Sequence, residues 1–283
     1  MTIAEFIYAV LLRPKPLRAL ANSCIRLIIP RQIRRDGITV ILNPNDPVNS
    51  GALTFNVYER GETRFFQSVL RPGMTAVDIG ANIGLYTALA VSRIGNTGRV
   101  VAVEADRESF QYLRQTVAAN NAANVTCIPK AAADHCGVMR LFVSTDNRGD
   151  NRLYDNELCS DSYEVEVVTM DALLDELGIS SVDVVKIDVQ GYEGHVLEGM
   201  RNTLDSSSNV TILMEFWPHG LRCSHTQPEQ LLRDLEKMGF EISELESNGR
   251  LAPVRDTEAL IGRYRGRRYT NIVAVKRPVH NTR

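Results

Sequence analysis

The eleven residues Val77–Thr87, VDIGANIGLYT, decide the fold of this 283-residue chain. Val77 to Ile79 reads as a buried strand, Gly80 to Gly84 as a tight turn, and Leu85 onward as the start of a helix. The run VVAVEAD (Val100–Asp106) is near-continuously apolar, as a strand covered on both faces must be, and it ends on an acid, Glu104. A glycine turn after one strand and an acid after the next is how an open α/β sheet holds a nucleoside-bearing cofactor at the carboxyl ends of its strands.

The spacing inside the turn narrows the cofactor. A pyrophosphate-binding turn needs Gly-x-Gly-x-x-Gly, so that the backbone can approach the phosphates. Asn82 and Leu85 stand where the second and third glycines belong, and their side chains obstruct a phosphate. That argues against a nicotinamide dehydrogenase. The pattern Asp78-x-Gly80-x-Asn82-x-Gly84 instead resembles the first motif of S-adenosylmethionine (SAM) dependent methyltransferases, whose turn curves around an amino-acid tail and a ribose. Asn82 tolerates left-handed backbone and still offers an amide. Glu104 has two oxygens with which to accept from two ribose hydroxyls.

Working outward, apolar strands are expected at 75–78, 99–104, 125–129, 182–189 and 210–216. Helices are expected between them at 84–92, 108–120, 194–204, and after them at 227–238. Two consecutive strands, 240–245 and 271–275, close the chain. This succession predicts an α/β fold with a doubly wound, mostly parallel Rossmann-like sheet and an antiparallel final strand pair. Upstream, 37–42 reads as a strand with 52–57 as its expected partner, and 63–70 as a helix. Residues 138–143 and 164–169 alternate like paired strands around a polar loop, 145–162. Residues 1–36 are expected to form a basic helical N-terminal extension to a domain spanning 37–283.

Charge is unevenly spread. Residues 1–35 hold seven Lys or Arg against Glu5 alone, residues 263–283 hold seven bases and no acid, and the body between carries 18 bases and 33 acids. Basic ends on an acidic body suit either packing onto that body, the favoured reading, or peripheral contact with an anionic membrane or polymer. Five cysteines, odd in number and without a C-x-x-C pair, argue against a disulfide framework or zinc ribbon and suit a cytoplasmic location. No run reaches the roughly 18 apolar residues of a membrane span, and Ile3–Leu12 lacks the basic flank of a signal peptide.

A second constellation is KIDVQGYEGHVLEGM (Lys186–Met200) with MEFWP (Met214–Pro218). Asp188 falls near the end of a strand expected beside the first strand, Glu193 opens the next helix, and Glu215 lies near the end of the next strand. The three carboxylates are expected to converge on the cofactor mouth. An acid within an apolar strand needs a partner. Lys186, two residues earlier on the same face, supplies a structural one. The functional alternatives for Asp188 are a base for the acceptor, a cofactor contact or a metal ligand. A divalent cation on Asp188, Glu193 and Glu215 would use hard oxygen donors, but it is not the favoured reading.

Together these segments resemble the FkbM-type methyltransferase family. NVTCIPKAAAD (124–134), VVTMDALLDELG (167–178), Tyr58-Glu59 and RPGMTAVDIG (71–80) add to the likeness, which covers roughly residues 37–217. Gln190 stands where many relatives carry Glu. The resemblance implies a SAM-dependent O-methyltransferase acting on a hydroxyl of a sugar, glycan or secondary metabolite. It matches Asp78, Gly80, Asn82 and Gly84 to the cofactor turn, Glu104 to the ribose acid, and Asp188 to an aspartate beside the methyl-transfer site. An adenine contact stays open, because Ala131–Ala133 precede Asp134. As base for the acceptor, Asp188 is the first candidate. His219 is the second, because an imidazole titrates near neutrality. His195 reads as packing, and Trp217 as a flat wall for the acceptor or as a rim of the core. Two alternatives remain: a methyltransferase-fold protein acting on nucleic acid or protein, for which no Asn-Pro-Pro-Tyr-like base-flipping signature is found, and a non-catalytic SAM-binding protein.

Overall fold

The computed structural model describes residues 24–56, 59–144, 148–155 and 159–278. Most of the expected basic extension, and Tyr58, lie outside the described residues. A hairpin of β1 (Gln32–Arg35) and β2 (Ile38–Ile41) opens the body. The boundary expected at residue 36 therefore falls inside a tight turn, where Asp36 and Gly37 both have positive φ. Next comes α1 (Pro47–Thr54), where a strand at 52–57 was expected. Asp46 caps this helix by accepting from Asn49 N at 3.2 Å, and Pro47 fills its first turn, so local capping chemistry selects a helix over extended pairing.

The element α2 (Arg60–Val69) leads into β3 (Thr75–Ile79), α3 (Leu85–Ile94), β4 (Arg99–Val103), α4 (Arg107–Ala119) and β5 (Val125–Ile128). The chain then leaves the main sheet. β6 (Ala131–Ala132), β7 (Gly137–Ser144) and β8 (Cys159–Val168) form a separate three-stranded sheet. It returns through α5 (Met170–Glu176), β9 (Val184–Ile187), α6 (Glu193–Glu198), α7 (Arg201–Ser206) and β10 (Val210–Phe216). The helix expected over 194–204 is thus two helices. The second starts afresh because Asp171, from α5, accepts from the backbone N–H groups of Asn202 and Thr203. The short α8 (Pro218–Cys223), α9 (Pro228–Lys237), β11 (Glu241–Leu245), β12 (Leu251–Pro253), α10 (Thr257–Arg263) and β13 (Thr270–Lys276) complete it.

The main sheet has the order β12-β11-β13-β10-β9-β3-β4-β5. β10, β9, β3, β4 and β5 run parallel, and β13 inserts antiparallel to both β10 and β11. The expected antiparallel final pair is β11 with β13. Strands β3 and β9 are nearly wholly buried, because helices cover both faces. One face packs Leu173, Val196, Met200 and Leu232 against the sheet, the other Phe66, Leu89, Ile94 and the hairpin residues Val40 and Leu42. Strand order reverses between β3 and β9, and a crevice opens beyond the carboxyl ends at that reversal.

Candidate active site

The turn after β3 is anchored first by backbone hydrogen bonds. Gly80 N and Ala81 N both donate to Val103 O, at 2.9 and 3.0 Å, and Gly84 N donates to Ala81 O at 2.8 Å. Gly80, Asn82 and Gly84 have φ of +79°, +49° and +88°, the left-handed region that excludes most side chains. A Cβ on Gly80 would collide with the Asp188 carbonyl, and one on Gly84 would lie 2.8 Å from Leu113 Cδ1. The two glycines thus let this turn touch the loop after β9 and helix α4. Both answer to packing inside the protein.

A cavity of about 700 Å³ lies against this turn, at the carboxyl ends of β3, β4, β9 and β10. Asp78, Gly80, Asn82, Glu104, Asp188 and His219 all line it; Gly84 sits behind the turn and is not part of that wall. Glu104 accepts from Asn82 N and Asp106 N, each at 2.7 Å. Burial pushes its carboxyl up to about 7, against the pull of those two N–H groups. Asn82 Oδ1 is buried with no donor. Asp78 accepts from Thr87 Oγ1 at 2.6 Å and is raised by burial to about 6.

Lys186 is the centre of the far wall. It is 1% exposed, donates to Asp188 Oδ2 at 3.2 Å, and its Nζ lies 5.0 Å from the centroid of the Tyr86 ring. Burial pushes its ammonium down, but Asp188, Glu59, Asp78 and Glu215 outweigh that and hold it above its ordinary value. Glu59, which accepts from Tyr86 Oη at 2.6 Å, is raised by burial to about 7. Glu215 is pushed well up by burial and then by Asp188. Gln190 Nε2 donates to the other Asp188 oxygen at 2.9 Å, so this substitution for Glu supplies a donor where a carboxylate would repel. The structural Lys186–Asp188 pair therefore exists. The Asp188 side chain is nevertheless 21% exposed and opens into the cavity.

Glu193 does not join the other two carboxylates. It is fully buried outside the cavity wall, and its Oε1 accepts from Val189 N and Gly191 N while Oε2 has no partner. The expected convergence of three acids is thus corrected to two, Asp188 and Glu215, with the Lys186 ammonium among them. Among the described residues no cluster of His, Cys, Asp and Glu could hold a metal ion.

His219 sits in the first turn of α8, exposed, with its ring 5.6 Å from that of Trp217. His195 lies away from the cavity wall, between Asp134 Oδ2 at 2.8 Å and the Ser224 carbonyl at 2.7 Å. It thereby ties α6 to Asp134 on one side and to the residue that ends α8 on the other. Lys130 and Ala131–Ala132 line the cavity where the adenine contact stays open.

Within the polar loop 145–162, sequence reasoning singled out none of the residues that roof the cavity. Residues 148–155 fold over the cavity from the three-stranded sheet. Arg148 bridges to Asp106 at 3.1 Å and Glu108 at 2.5 Å, Arg152 stacks on Trp217, and Tyr154 Oη donates to Gln190 O at 2.8 Å. Nothing periodic marks these residues in an Asp/Asn-rich loop; only two arginines and a tyrosine in so polar a run could have drawn attention.

A family model described as the methyltransferase FkbM domain matches residues 78–242. The chain is 26% identical, over 78% of its length, to the AMB antimetabolite synthetase AmbE of Pseudomonas aeruginosa, and it spans only 12% of that protein. Among solved structures, the FkbM methyltransferase of Methylobacillus flagellatus KT aligns at 15% identity and a TM-score of 0.44, covering 92% of this chain and 59% of that one. A SAM-dependent O-methyltransferase of Thermotoga maritima aligns at 15% identity and a TM-score of 0.45, covering 87% and 77%.

Proposed function

The chain belongs to the FkbM methyltransferase family, and from that premise we propose that it transfers the methyl group of S-adenosylmethionine to a hydroxyl of a small-molecule, sugar or glycan acceptor. The observation that carries this reading is the shared cavity. Glu104 and the glycine turn line one side of it, and Asp188, whose backbone touches that turn at Gly80, lines the other. Cytoplasmic location belongs to the same proposal.

SAM supplies an electrophilic methyl on a sulfonium. The residues fit it on two counts: Asn82 Oδ1 is a buried acceptor awaiting a donor, and Glu104 keeps lone pairs for hydroxyls after taking two N–H groups. Asp78, Gly80, Asn82 and Glu104 would hold it, with Gly84 setting the helix start behind them.

Much of the rate of such a displacement comes from holding the acceptor oxygen in line. The rest asks for removal of a hydroxyl proton. Asp188 is placed for that at a carboxylate oxygen, since Lys186 and Gln190 hold the group oriented. His219, at the mouth, is the second base, and Trp217 closes the wall.

The test is calorimetric titration with SAM, followed by turnover on an identified acceptor. Asp188→Asn should keep SAM affinity and lose about 10²–10⁴ in turnover, whereas His219→Asn should lose less. Full turnover in Asp188→Asn would remove it as the base, and absence of SAM binding by the folded protein would remove the reading altogether.

A further inference from the structure

We propose that the acceptor carries an anionic group, carboxylate or phosphate, bound by Arg152 and Arg267 at the cavity wall near Trp217; this deepens the methyl-transfer reading and rests on it. Arg152 is only 8% exposed, yet it lines the cavity. Its backbone pairs both ways with Phe142, at 2.8 and 3.0 Å, which fixes its place in the roof. Its guanidinium lies 4.6 Å over the Trp217 ring, and Nη2 donates to Asp150 Oδ1 at 2.9 Å. Its Nε is buried and has no acceptor. A buried cation with an unspent donor is costly, and Asp150 meets only one nitrogen of a group with five N–H donors. An oxyanion entering the cavity would satisfy the remainder.

The second arginine is tied to the same indole. Trp217 Nε1 donates to Gly266 O at 2.8 Å, and the next residue, Arg267, is exposed and lines the cavity. Among the described residues no hydrogen bond or ion pair engages Arg267. The other cations of the wall are already matched: Lys130 to Glu166, Arg148 to Asp106 and Glu108, and Lys186 to Asp188. Two arginines at one indole, Arg152 stacked on its ring and Arg267 next to the carbonyl that Nε1 meets, suit the planar, multidentate recognition of a carboxylate or phosphate. A neutral polyol would leave Arg267 unpaired and Arg152 with Asp150 alone.

Trp217 is the sole tryptophan, so intrinsic emission reports on this spot. The 283-residue chain, loaded with S-adenosylhomocysteine, is titrated with sodium phosphate and separately with sodium succinate at constant ionic strength. A saturable emission change is expected, lost in Arg152→Gln and weakened about tenfold or more in Arg267→Ser. The anion that saturates at lower concentration identifies the group. No saturable change in the wild type, or an undiminished one in Arg267→Ser, would overturn the proposal. The exposed position of Arg267 keeps the test valid if Arg152→Gln does not fold. Calorimetry with S-adenosylhomocysteine on the same samples separates the two failures. Retained cofactor binding without an anion response defeats this inference alone, whereas no cofactor binding defeats the methyl-transfer reading beneath it.

Discussion

Glu104 accepts two backbone N–H groups and still has capacity for a ligand. Its carboxyl, pushed up by burial to about 7, gains charge as pH rises through neutrality, and a charged acceptor binds hydroxyls more strongly than a neutral one. SAM affinity is therefore expected to rise between pH 6 and pH 8, and calorimetry on Glu104→Gln should find weaker binding with that pH dependence flattened. Gly80→Ala combines a left-handed φ with a collision against the Asp188 carbonyl. It should lose about 2–5 kcal/mol in denaturant titration, whereas Gly95→Ala, where a Cβ meets nothing, should lose only the strain of its φ. Glu104 and Asp188 were legible beforehand because an acid ending an apolar strand stands out against its neighbours. Arg152 was not: its importance comes from Trp217, 65 positions away in an unrelated element, and no local pattern encodes that meeting.

At the level of elements, one capping carboxylate organises the roof. Asp106 accepts from Ser109 N at the start of α4, and the same group takes Tyr163 Oη at 2.7 Å and Arg148 Nη1 at 3.1 Å. Asp106→Ala should therefore cost about 1–3 kcal/mol, more than a simple cap. It should also free residues 148–155, which limited trypsin digestion would read as faster cleavage after Arg148. Core strands were legible in the sequence because burial on both faces demands unbroken apolar runs. The elements that escaped are short ones fixed by distant partners. Helix α7 takes its cap from Asp171, and β1 pairs with β2, which is itself tied to α4 through Asn120 and Thr116. In α1 the local signal, Asp46-Pro47, was present, but it is shared by turns.

For the molecule as a whole, acids buried at the cavity and beside it set the response to pH. Glu59, Glu104 and Glu193 are raised to about 7 and Asp78 to about 6, in each case by burial first. Unfolded, these groups release their protons near pH 4, so between about pH 4 and 7 the folded chain binds more protons. Stability is then highest in mild acid and falls as pH rises through that window, by on the order of 2 kcal/mol or more. Chemical denaturation of the ligand-free protein at pH 5.5 and pH 8 checks this; equal midpoints would contradict it. The contact between Gly80 and the Asp188 carbonyl has a further consequence for how such chains are recognised in genomes. Because the sheet itself demands that glycine, a descendant that had abandoned catalysis would go on displaying the turn motif for as long as it folded. The glycines therefore certify architecture, and a survey seeking working enzymes learns nothing about catalysis from counting them alone.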